Sequence, residues 1–397
     1  MDHPQRPLPT ATLYLLALGM FAIGTESFMI AGLLPGIASD LGVGEASAGQ
    51  LVTAFALTYA LGGPVLAIVT ANLPRRALLV IAMAAFALGN ALAWASHGYA
   101  GLMSARILLA LTAGLYAPAA MALAGTLAAP EQRGRALAMV SGGMTVAIVL
   151  GVPLGTLLGN AMSWRATFGA VALLSLAATA GLAIGLPRFL GAGTAPPDLR
   201  ARIEAARLPG VLPTLLVTLA WGTGTYATLT YLAPYLEQVS HLPPERMSAV
   251  MLLWGVSAAI GLALGGRASD RFGARRVVLF SLALLALSFA YLGMLAGLGH
   301  WGMAAVAPGI VMWGMSTWGF FPAQQSSLVA RSGVGLAPVV LSLNASVQYA
   351  GFALGAMLGG LAVVRWSAGQ VGWVGSGFEV LALLLALAAG GRAVARK

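Results

Sequence analysis

Twelve mostly apolar stretches, separated by short polar breaks, divide this chain of 397 residues. A helix needs about 20 apolar residues to cross the hydrocarbon core of a bilayer. No water is available there, so only helices and closed barrels satisfy their own backbone. These stretches are long, rich in Leu, Ala and Gly, and lack the alternation of a strand. They predict an all-α integral membrane protein with twelve transmembrane helices, spans 1–12. The spans lie at roughly 10–34, 46–71, 77–96, 99–127, 136–160, 166–187, 211–236, 247–266, 276–297, 300–328, 337–362 and 370–391. Composition agrees, with 59% hydrophobic and 8% charged residues, against about 25% charged in a soluble domain. Span 1 does not read as a cleaved signal: it is too long, only Arg6 flanks it, and eleven spans follow.

Several chemistries drop out. The chain has no Cys, hence no disulfide, zinc–thiolate site or iron–sulfur cluster. Its four His (His3, His97, His241 and His300) lie in the N-terminal tail and in polar breaks, without ligand spacing, so no metal is expected. Lys397 is the only Lys, which excludes a Walker-type nucleotide loop and an intramembrane Schiff base. His-Glu-x-x-His, Gly-x-Ser-x-Gly and paired carboxylates on one span are all missing. Neither an enzyme nor a cofactor is expected.

The longest polar break runs from about Arg188 to Gly210 and contains Pro196, Pro197, Asp198, Arg200, Arg202, Glu204 and Arg207. It reads as a linker with a short amphipathic helix. The organisation expected is a six-helix half at 1–190, a cytoplasmic linker at 191–210 and a second six-helix half at 211–397. The halves share marks at one offset. Arg75-Arg76 returns 200 residues on as Arg275-Arg276, Gly114 as Gly314, and the ladder Gly151, Gly155, Gly159 as Gly351, Gly355, Gly359. Gly24-Thr25 resembles Gly222-Thr223 at an offset of 198. Duplicated halves with a midplane site between them are a transporter plan. Glycine ladders also pack helices closely whatever the protein does.

The formal charge of +10 is explained by topology. With a cytoplasmic N-terminus, seventeen of the 21 Lys and Arg lie in inner segments. Three (Arg165, Arg246 and Arg365) lie outside, and Arg106 lies within a span. Such asymmetry fixes orientation and puts both termini in the cytoplasm. The inner set includes Arg6, Arg396 and Lys397. No nucleic-acid partner is needed to explain the charge.

Three ionisable residues fall inside spans, each costing at least about 2.5–3.5 kcal/mol at a helix centre. Glu26 of span 1 and Arg106 of span 4 both lie about 10–12 Å below the outer boundary, so they can meet if the spans are neighbours. Burial favours a neutral carboxyl and a nearby guanidinium favours a carboxylate. The pair is therefore either a proton-exchanging site or a permanent structural ion pair. Glu379 of span 12 is either a second proton site or a neutral packed side chain. Span 7 carries Thr223, Thr225, Tyr226, Thr228, Thr230 and Tyr231. Span 10 carries Trp313, Trp318, Phe320, Phe321, Gln324 and Gln325. Asn344 and Gln348 share one face of span 11. With Phe28 of span 1 and Tyr116 of span 4, Tyr226, Trp318, Gln324, Asn344 and Gln348 form the expected cavity lining, suited to an amphipathic or apolar ligand. Interhelical bonding and interfacial anchoring account for others, including Tyr231 and Gln325.

On these residues the chain resembles the major facilitator superfamily, in particular its twelve-span drug:proton antiporter branch. The stretch Gly266-Arg267-Ala268-Ser269-Asp270-Arg271-Phe272-Gly273-Ala274-Arg275-Arg276 is similar to the family's loop after span 8. The resemblance implies a cytoplasmic latch built from Gly266, Asp270, Arg271, Gly273, Arg275 and Arg276. In the first half Thr70 and Leu73 stand where that loop has Asp and Gly. Arg106, Gly114 and Pro118 match the span-4 motif linked to proton coupling. Gly151, Pro153 and Gly155 resemble the antiporter helix motif, with Val152 inserted. Gly32-Leu33-Leu34-Pro35 closes span 1 as in this branch. Pro130-Glu131-Gln132-Arg133-Gly134-Arg135 looks like the loop between spans 4 and 5. The resemblance places spans 1, 4, 7 and 10 around the cavity and spans 3, 6, 9 and 12 outside.

Together these readings lead to a monomeric, proton-coupled exporter of small apolar or amphipathic molecules in a bacterial inner membrane. The partners expected are a small-molecule substrate, protons and the lipid bilayer. Export of sugars, nucleosides or amino acids is the alternative on the same fold. A lipid flippase or a non-transporting sensor is a further one.

Overall fold

A chain that cannot bond its backbone to water must bond it internally, and no strand occurs among the described residues. The structure, a computed structural model, describes residues 10–128, 132–187 and 199–394. His3, Arg6, Pro130, Glu131, Arg188, Pro196, Pro197, Asp198, Arg396 and Lys397 lie outside the described residues.

Spans 1 to 4 are α1 (Thr10–Asp40), α2 (Glu45–Val69), α3 (Arg75–Ala95) and α4 (Tyr99–Leu127). Span 5 comprises α5 (Arg133–Val146) and α6 (Val152–Ala161), joined by a π-turn at Ala147–Gly151. Pro153 lacks the N–H that would close an α-turn onto Val149, which favours such a widened turn. Span 6 is α7 (Trp164–Gly185), and the linker ends in α8 (Leu199–Arg207). Span 7 was expected to be continuous but consists of α9 (Val211–Thr230) and α10 (Leu232–Ser240), broken at Tyr231. Pro234 explains the break, because it cannot bond the Thr230 carbonyl and its ring clashes there. Spans 8 to 12 are α11 (Met247–Phe272), α12 (Ala274–Leu298), α13 (Met303–Ser332), α14 (Ala337–Arg365) and α15 (Val371–Val394). Among the described residues, eleven helices are long and apolar enough to cross a membrane. α9 adds a twelfth when taken with α8, from which it bends by 97°.

The chain groups into two compact units, Met1–Met29 with Leu61–Pro196, and Ile30–Ala60 with Pro197–Lys397. The division cuts through α1 and α2.

In the first unit α3 packs against both α4 and α7. Span 5 runs alongside α1 through its glycines. A Cβ on Gly143 would strike the Ala17 carbonyl, one on Gly151 would strike Thr25, and one on Gly155 would crowd Met29. All three pairings are 126 positions apart, so the two helices are parallel and in register. In the second unit α14 lies on α9 in the same way. Gly351, Gly355 and Gly359 face the carbonyls of Leu219, Thr223 and Ala227, each 132 positions away. In each unit glycines thus dock a fifth span onto a first span, the two pairings differing in register by six residues. Also in the second unit, α9 packs on α15, α11 on α13, and α12 against α13 and α15. The Tyr231 ring fits between Gly49 of α2 and Gly359 and Gly360 of α14.

Candidate functional site

Glu26 and Arg106 come together. In the first unit the arginine Nη1 donates to Glu26 Oε1, and both side chains have 0% exposure. Glu26 Oε2 has no hydrogen-bond partner among the described residues. Local packing sets this geometry. Gly24 lies against Met144 and Ala147, and Thr25 lies against Gly151. The next residue, about 100° further round the helix, is therefore turned away from span 5 and toward α4.

Ten residues along each helix, the Tyr116 hydroxyl of α4 donates to the Leu16 carbonyl of α1 at 3.2 Å. Gly19 leaves room for its ring. Two ties about 15 Å apart thus hold these antiparallel helices in register. Tyr116 was expected in the cavity lining. It is buried between α1 and α4 instead, because its hydroxyl needs a partner and finds one on the neighbouring backbone. Phe28 is also buried.

The amides of the second unit meet as well. Gln324 of α13 donates from Nε2 to the Thr214 carbonyl at 2.7 Å and to Thr218 Oγ1 at 3.0 Å. Thr218 donates in turn to Asn344 Oδ1 of α14 at 2.8 Å. Gln324 is 2% exposed and Asn344 3%. The network stitches α9, α13 and α14 together. Its pivot, Thr218, escaped the sequence reading because it precedes the Thr-rich run and looks like any apolar-flanked threonine. Gln348 is partly buried and takes no part in the network.

Aromatic rings gather nearby. Tyr226 stacks on Phe352 with centroids 3.7 Å apart, and Trp221 on Phe320 at 4.8 Å. Tyr59 of α2 stacks on Tyr349 at 3.6 Å. Trp318 is only partly buried and tilts against Phe321 at 5.9 Å. Trp221, Tyr349 and Phe352 were missed; isolated aromatics in apolar spans carry no signal of orientation.

Glu379 faces α9 although the resemblance put span 12 on the outside. It has 0% exposure, and Thr225 Oγ1 donates to its Oε1 at 3.3 Å. Gly224 and Gly375 bring the two backbones together beside it. Its Oε2 has no hydrogen-bond partner among the described residues.

The loop after span 8 turns at Gly273, with φ of +86°, a backbone that suits glycine. Asp270, Arg271, Arg275 and Arg276 are exposed, and Gly266 has open space around it. Asp270 makes no ion pair among the described residues. In the first half, Thr70 bonds the Leu66 carbonyl of its own helix at 2.6 Å. Arg76 donates to the Ala183 carbonyl of α7. Gly151, Pro153 and Gly155 act together: the glycines admit α1 and the proline widens the turn that ends at Gly151.

Long apolar helices, two compact units and an ion pair sealed inside one of them define a multi-pass membrane protein of transporter type. The chain belongs to the major facilitator superfamily, whose family model matches residues 16–356. Its relatives are transporters, not enzymes. It is 33% identical over 378 residues to the MFS-type transporter YbcL of Bacillus subtilis (strain 168), covering 95% of each chain. It is 38% identical over 292 residues to a chloramphenicol resistance protein of Streptomyces lividans, covering 73% of this chain and 74% of the other. Among solved structures it superposes on a point mutant of the peptide transporter POT with a TM-score of 0.80 at 16% identity. That match covers 98% of this chain and 96% of the other and supports the fold alone.

Proposed function

We propose that this protein exports small apolar or amphipathic compounds across a bacterial inner membrane in exchange for protons. Its two halves, 1–190 and 211–397, alternate access about the linker 191–210, with both termini in the cytoplasm and one chain sufficing. The observation that carries this is the Glu26–Arg106 pair, fully buried on α1 and α4. A charge kept inside a membrane protein marks a functional path by default. A proton on Glu26 cancels the attraction that holds α1 to α4, and its loss restores it. Oε2, which has no hydrogen-bond partner among the described residues, is the atom that takes up that proton in this reading. Arg106 keeps its charge throughout and so gives the acid a fixed reference.

The stacked rings of Trp221, Tyr226 and Phe352 favour an apolar or amphipathic cargo. The amides Gln324 and Asn344, already bonded through Thr218, argue against a cargo recognised mainly by hydrogen bonds. The resistance named for the Streptomyces relative fits an efflux role. The test is counterflow in proteoliposomes with a fluorescent apolar cation as substrate. Glu26→Gln should retain exchange of substrate for substrate and lose acceleration by a pH gradient. Gradient-driven transport at the wild-type rate in that variant would overturn the proton role.

A further inference from the structure

At the helix ends that carry the inner arginines, four helices of the second unit enclose a small open cleft. α9 contributes Thr214, α12 Arg275, α13 Gln324, Ser327 and Arg331, and α15 Ala389. Its volume is about 40 Å³, room for about three water-sized groups at the 10–15 Å³ each requires. The two arginines share the cleft with apolar side chains such as Val217 and Leu279, and no carboxylate is among the described lining residues.

Both arginines lie close to the N-terminal end of a helix. Arg331 lies against Gly210, the N-cap of α9, so closely that a Cβ there would strike its Nη1. Arg275 is the second residue of α12. A helix N-terminus carries partial positive charge and favours anions over cations. Neither helix has an acidic residue in its first turn. Neither arginine forms an ion pair among the described residues. Two cations and the positive ends of α9 and α12 therefore converge on one cleft, opposed among the described residues by the C-terminal end of α13, whose last turn carries Arg331.

We propose that this cleft binds a phosphate group, held by the guanidiniums of Arg275 and Arg331. Arginine suits phosphate because its planar fork donates two parallel bonds. Basic pockets between helices on the cytoplasmic side bind phospholipid headgroups, and a soluble phosphate presents the same oxygens. The site lies within one unit and does not depend on the direction of transport or on proton coupling.

Native mass spectrometry of the detergent-solubilised protein, with added phosphatidylglycerol or the phosphate-free monogalactosyldiacylglycerol, reads the lipid source. Thermal unfolding with added inorganic phosphate reads the soluble one. Wild type should retain phosphatidylglycerol over monogalactosyldiacylglycerol, or gain stability from phosphate if the source is soluble. Arg275→Gln/Arg331→Gln should weaken that binding by about tenfold or more, as loss of charge-assisted bonds implies. Arg331→Lys, which keeps the charge, should lose less. Arg267→Gln, at the same end but outside the cleft, should bind as wild type does. Equal retention of both lipids with no response to phosphate would overturn the proposal. So would unchanged binding by the double variant.

Discussion

Separating the two charges of the buried pair yields a prediction with opposite pH behaviour for its two halves. In Arg106→Met the Glu26 carboxyl is left with no cation, buried at 0% exposure. It can shed its charge by taking up a proton. That costs about 1.4 kcal/mol for each pH unit above the ordinary glutamate value of about 4.3. The penalty is thus about 4 kcal/mol at pH 7 and under about 0.5 kcal/mol at pH 4.5. In Glu26→Gln the cation is stranded instead. A guanidinium cannot be deprotonated in a protein, so a penalty of about 3–5 kcal/mol should persist at both pH values. The double variant Glu26→Gln/Arg106→Met strands no charge and should return to within about 1 kcal/mol of wild type. Equilibrium unfolding in mixed detergent micelles, followed by tryptophan fluorescence at pH 7 and 4.5, measures all four proteins. A pH-independent cost for Arg106→Met, or an equal pH slope for both single variants, would show that the two side chains do not compensate each other.

Three further outcomes follow from packing. Gly355→Ala pushes a methyl group toward the Thr223 carbonyl and should cost about 1–3 kcal/mol in unfolding experiments, whereas Gly266→Ala enters open space and should stay within about 0.5 kcal/mol of wild type. Thr225→Val removes the hydroxyl that donates to Glu379 and should destabilise by about 1–3 kcal/mol, while Glu379→Gln should cost less than Glu26→Gln because it strands no cation. Asn344→Ala, which breaks the Thr218 link, should lower the melting temperature and leave the apparent KM for a fluorescent dye unchanged in a vesicle uptake assay.

The helices were legible in the sequence because the bilayer demands runs of a set length, and the polar breaks at Arg75-Arg76 or Arg275-Arg276 mark their ends. Depth made a Glu26–Arg106 meeting possible, and it needed spans 1 and 4 to be neighbours as well. What the sequence hid is rotation about each helix axis. In a soluble protein the polar face reveals it, but lipid is as apolar as the interior, so Tyr116, Phe352 or Glu379 could point either way. Thr218 was invisible for the same reason, and Glu379 turned inward against the expectation for its span. The break at Tyr231 was readable in principle from Pro234. Proline is tolerated in many membrane helices, including α1 at Pro35 and α4 at Pro118, which run on without a break.

The two glycine ladders restrict how the protein can deform. Where α14 rests on α9, main chain lies on main chain, with carbonyls where a Cβ would otherwise be. Such a joint has no long side chains to flex. Slipping by a single residue would replace Gly355 with Leu354 or Ala356 at the Thr223 carbonyl and jam. α1 and span 5 are keyed together in the same way. The first and fifth spans thus form one beam in each unit, and the widened turn that ends at Gly151 and the break at Tyr231 are bends built into those beams, held by the packing on either side of them.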